Sequence, residues 1–156
     1  MSDSVVFPYS ITLQQDGRIG TTPTAEVFFK TKTGAHTSLM LLIDSGATIS
    51  AMPARDAHVF GLDHKKGRRI DVRGVGSGSV QGWVHMMLVR VGQTNSEIEI
   101  PVAFLENDDA PYVLGRTGVF DRFTIVLEEQ KNRSGFFVPT SRIGKAISRQ
   151  LDLHLI

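Results

Sequence analysis

Short stretches in which apolar and polar residues alternate run through most of the chain, separated by turns rich in glycine, asparagine and aspartate. That two-residue period marks half-buried strands. Residues 4–13 alternate loosely and predict a first strand, closed by the Asp16-Gly17 turn. Residues 24–29 predict a second, and Lys32-Thr33-Gly34 turns the chain into a third over residues 38–43. Residues 49–52 are short and β-prone. Residues 70–73 and 80–91 flank a glycine-rich segment and predict a long hairpin, after which residues 97–104 alternate again. Tyr112-Val113-Leu114 reads as a short buried strand, and residues 124–128 and 136–138 as a hairpin around Asn132-Arg133-Ser134-Gly135. Helical signals are brief. Pro53 suits the first turn of a helix reaching Phe60 and stopped by Gly61, and residues 117–123 predict a second short helix. Ile143, Ile147 and Leu151 recur at helical spacing behind Ser141, a fitting N-cap. Lys65-Lys66-Gly67-Arg68-Arg69 reads as a solvated loop. With no repeat or linker in view, the pattern predicts one mostly-β domain over residues 1–156, with residues 140–156 as a helical tail.

Bulk composition narrows the chemistry more than the fold. The 156 residues suffice for one domain with its own core, and 41% hydrophobic with 21% charged residues is ordinary for a globular protein. A formal net charge of +1 gives no electrostatic reason to expect nucleic acid or a membrane surface as partner. The absence of cysteine removes disulfides, thiol catalysis and thiolate metal sites. The first residues lack a basic segment followed by a long apolar core, and no apolar run is long enough to span a bilayer, so the expectation is a cytoplasmic protein. The five histidines (His36, His58, His64, His85 and His154) show no metal-ligand spacing, and neither a metal nor another cofactor is expected. Gly74-Val75-Gly76 lacks the third glycine of a dinucleotide fingerprint and is followed by a strand.

The stretch with chemical content is Leu41-Leu42-Ile43-Asp44-Ser45-Gly46-Ala47-Thr48. An apolar strand here delivers one carboxylate into a turn of small residues. An Asx-type turn closing any strand would look the same, so the motif gains force only from the parts that accompany it along the chain. Those parts are a glycine-rich hairpin through Gly74, Val75, Gly76, Ser77 and Gly78, then Val113-Leu114-Gly115-Arg116 and a short helical segment.

Taken in that order, residues 24–139 resemble the retropepsin-like aspartic proteases. Asp44-Ser45-Gly46-Ala47-Thr48 is similar to that family's catalytic loop. Val113-Leu114-Gly115-Arg116 resembles its second signature, an apolar strand whose glycine crosses beneath the loop. The hairpin resembles a flap, and residues 119–139 resemble the helix and closing hairpin of the larger pepsin lobes. The resemblance implies a single-domain acid-protease β-barrel with short helices, completed as a homodimer.

The chemistry implied by that family agrees with the residues present. Hydrolysis by carboxylates needs two of them around one water, one ionised as general base and one protonated to polarise the scissile carbonyl. This chain has one Asp-Ser-Gly and no second copy, so the other carboxylate must come from a second chain. The resemblance makes Asp44 the catalytic carboxylate. It implies that Ser45 holds the two loops in register, that Gly46 presents its carbonyl to the substrate backbone, and that Ala47 lines the cleft. The resemblance likewise implies that residues 74–78 act as a flap and that Leu114, Gly115 and Arg116 are structural supports. The expected partner is a peptide or protein substrate, and apolar neighbours such as Ile49, Val75, Val80 and Leu105 suggest a preference for apolar side chains. Three features depart from the family: Thr48 is neutral where many viral members carry an acid facing the equivalent of Arg116; the expected flap, with Arg73 and Val75, has no tyrosine, unlike the pepsin flap; and residues 140–156 look helical where the termini of viral members form an interchain sheet. A rival expectation is a dimer of the same fold that binds extended segments without cutting them. A third is a barrel binding a small anion through Arg68 and residues 74–79.

Overall fold

The computed structural model describes residues 2–73 and 78–155. Gly74, Val75, Gly76 and Ser77, expected at the hairpin tip, lie outside the described residues. Twelve strands are formed among those described: β1 (Ser4–Pro8), β2 (Ser10–Leu13), β3 (Ile19–Thr22), β4 (Thr24–Lys30), β5 (His36–Ile43), β6 (Ser50–Pro53), β7 (Arg68–Arg73), β8 (Ser79–Val91), β9 (Ile98–Leu105), β10 (Val113–Leu114), β11 (Thr124–Glu128) and β12 (Arg133–Phe137). One helix, α1 (Arg142–Leu153), follows them.

Seven strands form the main sheet in the order β4-β5-β10-β6-β9-β8-β7. The far end of β8 also pairs with β4 through Val27↔Val91, Phe28↔Arg90 and Phe29↔Val89. That seam closes six strands into a barrel and leaves β7 as a flange on the near end of β8. Closure removes the exposed edges that an open sheet would present. Leu41, Val27, Phe29, Met52, Ile100 and Phe104 fill the interior without exposed surface. Phe60, from the 3-10 segment Ala54–Phe60, packs between Phe29 and Phe104 at centroid distances of 5.3 and 6.1 Å. Each such ring contributes roughly 1.5–3 kcal/mol by leaving water. A second sheet, β1-β12-β11, is joined to this core by Phe136, whose ring meets Phe7 and Phe123 edge-on at 5.7 and 5.9 Å.

Several local expectations are corrected by long-range pairing. Residues 4–13 do not form one strand. The chain changes partner at buried Tyr9, β1 pairing with β12 and β2 with β3, and the short strand β3 has no counterpart in the sequence pattern. Arg68 and Arg69, expected in a loop, belong to β7, where they oppose Val84 and Trp83; the 3-10 turn His64–Lys66 precedes them. The segment after Pro53 is a 3-10 rather than an α-helix. Residues 117–123 make successive turns instead of a helix, because Gly118 adopts φ +79° and interrupts the helical path. The final strand begins at Arg133, three residues before the predicted start at 136. In α1 the Ser141 hydroxyl accepts from the Gly144 amide at 3.1 Å, and Gly144 is the helix's one buried residue. No helix among the described residues is long and apolar enough to cross a membrane.

Candidate active site

Strand β5 carries Leu41 and Ile43 into the core and stops at Asp44. It stops there because the next residues are small and polar, and because the Asp44 carboxylate closes an Asx turn. Its Oδ1 accepts from the Gly46 amide at 2.8 Å and the Ala47 amide at 3.3 Å. Bonds from amides to a carboxylate are stronger than neutral ones, so they fix one oxygen and the side chain's orientation. Ser45 and Gly46 remain exposed at the apex of the turn, and Asp44 itself is half-buried.

The loop is held from below by β10. This two-residue strand lies parallel to β5 (Val113↔Leu42, Leu114↔Ile43) and antiparallel to β6 (Val113↔Ala51). Asp44 donates its amide to the Leu114 carbonyl at 3.1 Å. Beyond it the Gly115 amide donates to Ser50 Oγ at 3.1 Å, and the Arg116 amide to the Ala47 carbonyl at 3.0 Å. The Thr48 carbonyl accepts from both the Thr117 amide (2.9 Å) and its hydroxyl (2.8 Å). Glycine is required at 115 by space: a Cβ there would stand 2.3 Å from the Ile49 carbonyl carbon and 2.4 Å from its oxygen. Before β10, the Tyr112 hydroxyl donates to the Asp56 carboxylate, a bond that raises the tyrosine's pKa and ties the strand's entrance to the 3-10 segment.

Above the loop opens a cleft of about 670 Å³. Asp44, Gly46, Ala47, Thr48 and Ile49 line one side of it. Val72 and Arg73 of β7, Val80 of β8, Ala103 and Leu105 of β9, and the Ala110-Pro111 segment line the rest. Its apolar wall belongs to a second, smaller core of Val84, Ala103, Leu105 and Ala110, backed by Ile49, Ala51, Ile70, Val72 and Val80. Among the described lining residues Asp44 is the one carboxylate and Arg73 the one cation. The arrangement offers a fixed carboxylate facing an apolar trough open to solvent. Among the described residues no group of three histidine, aspartate or glutamate side chains could hold a metal ion.

Residues 31–117, more than half of the chain, match the family model described as "gag-polyprotein putative aspartyl protease". The chain belongs to this family of retropepsin-like aspartic proteases. The matched span contains β5, the Asp44 loop, the β7–β8 hairpin and β10. Among solved structures, the fold is similar to a retropepsin-like aspartic protease from Rickettsia conorii, at 18% identity and a TM-score of 0.54, covering 85% of this chain and 92% of that one. A second similar structure is the EIAV protease complexed with the inhibitor HBY-793, at 22% identity and a TM-score of 0.46, covering 64% of this chain and 86% of that one. No curated protein sequence matches the chain.

Within this family fold, Asp44, Gly46, Ala47 and Thr48 come together on the cleft, while Ser45 stands exposed beside it. Leu114 and Gly115 are buried beneath the loop. Arg116 is exposed; it makes no ion pair among the described residues, and its backbone does the bracing. Gly78 is exposed at the start of the hairpin's return strand, one residue before β8. Of the apolar neighbours expected from the sequence, Ile49, Val80 and Leu105 line the cleft and Val75 lies outside the described residues. Ala51, Ala103, Asn107 and Ala110 line it too, and sequence reasoning missed them. One signal for the wall was available. The end of β9, Val102-Ala103-Phe104-Leu105, is apolar at every position, as a strand covered on both faces must be.

Proposed function

We propose that the chain is a homodimeric aspartic endopeptidase whose active site pairs Asp44 with the same residue of a second chain around one water. The observation that carries this reading is the Asp44 carboxylate: one oxygen is tied to the Gly46 and Ala47 amides, at an apolar cleft where the described lining supplies no second acid. Peptide hydrolysis by a carboxylate dyad needs a second carboxylate about 3 Å away, sharing one proton with the first. The exposed apex at Ser45 and Gly46 leaves room on the loop for a symmetry mate.

In this scheme the ionised member of the pair takes a proton from the water, and the protonated member polarises the scissile carbonyl. The proton belongs to the pair, so activity reports values of the dyad and falls away on both sides of its optimum. Ser45 bonds across the two-fold axis, the Gly46 carbonyl receives a substrate amide, and Ala47 and Thr48 border the peptide. The segment from Gly74 to Gly78, with Val75, Gly76 and Ser77 between, takes the part of a flap over an extended substrate. The buried pair Leu114 and Gly115, with Arg116, keeps the loop in place.

The test is cleavage of a diverse peptide library by wild type and by Asp44→Asn, from acidic to neutral pH and over a range of protein concentrations. Cleavage by wild type alone, with specific activity rising as dimer assembles, is expected. Failure of both proteins to cut at concentrations where the dimer is demonstrably formed would overturn the proposal. A non-catalytic binding module would then be left.

A further inference from the structure

We propose that Arg73 sets the substrate class of this cleft: extended peptides that carry an acidic side chain next to apolar ones. The inference rests on the peptidase reading for its occupant and adds what that occupant contains. Arg73 ends β7 opposite Ser79, where the hairpin leaves the barrel, and lines the same cleft as Asp44. Among the described residues some cations near this end of the molecule already face acids, while Arg68 and Arg69, on the same strand but not on the cleft, do not. His64 and Lys65 stand 3.8 and 3.7 Å from Glu106, and Arg55 stands 3.8 Å from Asp108. Arg73 has no such partner among the described residues and is exposed.

Around it the cleft is apolar, through Ile49, Val72, Val80 and Leu105. An extended peptide alternates its side chains, so residues seated on the apolar wall are flanked by residues directed elsewhere. A carboxylate among these gives the guanidinium a bidentate partner, and a lysine meets like charge. Two-fold symmetry repeats Arg73 in the other half of the cleft. The preference therefore falls at two positions placed symmetrically about the scissile bond.

Binding by the Asp44→Asn protein separates this inference from catalysis. Short fluorescent peptides with an apolar centre, scanned at each position with Glu, Gln or Lys, are titrated by anisotropy. Glu is expected to bind about tenfold more tightly than Gln at two symmetric positions, with Lys weaker still. High salt and Arg73→Gln should both flatten the profile, and Arg73→Glu should turn it toward Lys. Equal binding of the three sets, a Glu preference that survives Arg73→Gln in a protein with an unchanged melting temperature, or no binding at all would overturn the inference. If the Glu peptides bind as expected and wild type leaves them uncut, the peptidase reading fails and the role of Arg73 stands.

Discussion

Gly115→Ala tests whether the Asp44 loop is held by close backbone approach. The added Cβ would sit 2.3 Å from the Ile49 carbonyl carbon, 2.4 Å from its oxygen and 2.8 Å from the Ser50 nitrogen. All three are backbone atoms, so no flexible side chain can move aside. Relief requires separating β10 from β6, which lengthens the bond from the Gly115 amide to buried Ser50 Oγ. Overpacking costs about 1–3 kcal/mol and a stranded buried donor about 1–3 kcal/mol more, so roughly 3–5 kcal/mol is expected. For a domain of this size that corresponds to a fall in Tm of roughly 6–20 °C. The assay is urea denaturation of wild type, Gly115→Ala and Ser50→Ala at one fixed protein concentration, since association shifts apparent stability. Ser50→Ala removes the bond without the clash and should lose the smaller share. A Gly115→Ala protein within about 0.5 kcal/mol of wild type would refute the close-approach argument.

The same geometry sets three further outcomes. Asp44→Asn keeps an Oδ1 for the Gly46 and Ala47 amides and should leave stability within about 0.5 kcal/mol, whereas Asp44→Ala should lose about 1 kcal/mol; equal denaturation midpoints would show that the turn contributes nothing. Tyr112 is raised above its ordinary 10.0 by its bond to Asp56, and Tyr9 by burial. A group raised on folding stabilises fully below its unfolded value and loses that contribution as pH climbs through the folded one, so stability should decline above pH 10.0. Tyr112→Phe should make that alkaline decline shallower, and an unchanged slope of midpoint against pH would contradict the assignment. Ser141→Ala removes the cap of α1 at a cost of about 1 kcal/mol. Because Gly144 is the helix's one buried residue, hydrogen exchange should quicken across Arg142–Leu153 while the global Tm holds.

The sequence disclosed what is local and withheld what is paired at a distance. The position of Asp44 at the end of an apolar strand was legible because Leu41-Leu42-Ile43 runs directly into a turn of small residues; the amides that donate to its carboxylate were seen only in the structure. The pairing of β7 with β8 was legible because the two strands lie close together in the chain. The wall of the cleft was not. Ala51 and Ala103 oppose one another only through the parallel pairing of β6 with β9, across some fifty residues of chain. Likewise nothing in residues 4–13 marks Tyr9 as the point where one sheet is left and another pairing begins, since that depends on β12 and β3. Arg73 was visible as a departure from the expected flap, but its place beside Asp44 on one cleft needed the fold.

Closure of the barrel explains how a strand of two residues can govern the site. β10 has no stability of its own, and its ladder bonds exist because β5 and β6 stand on either side of it. Those two strands are fixed in turn by β4 and β9, and the ring is completed where Val27 and Phe29 meet β8. Leu41 and Ile43 of β5 and Met52 of β6 belong to the same buried core as Phe29, Phe60 and Phe104, so displacing β10 would require opening a closed and packed ring. The Asp44 loop therefore inherits its rigidity from long-range pairing, while its apex at Ser45 and Gly46 and the cleft beside it stay uncovered. A carboxylate held firmly on one side and open on the other suits the dyad proposed above, because the orientation of its bound oxygen is fixed before any second carboxylate approaches.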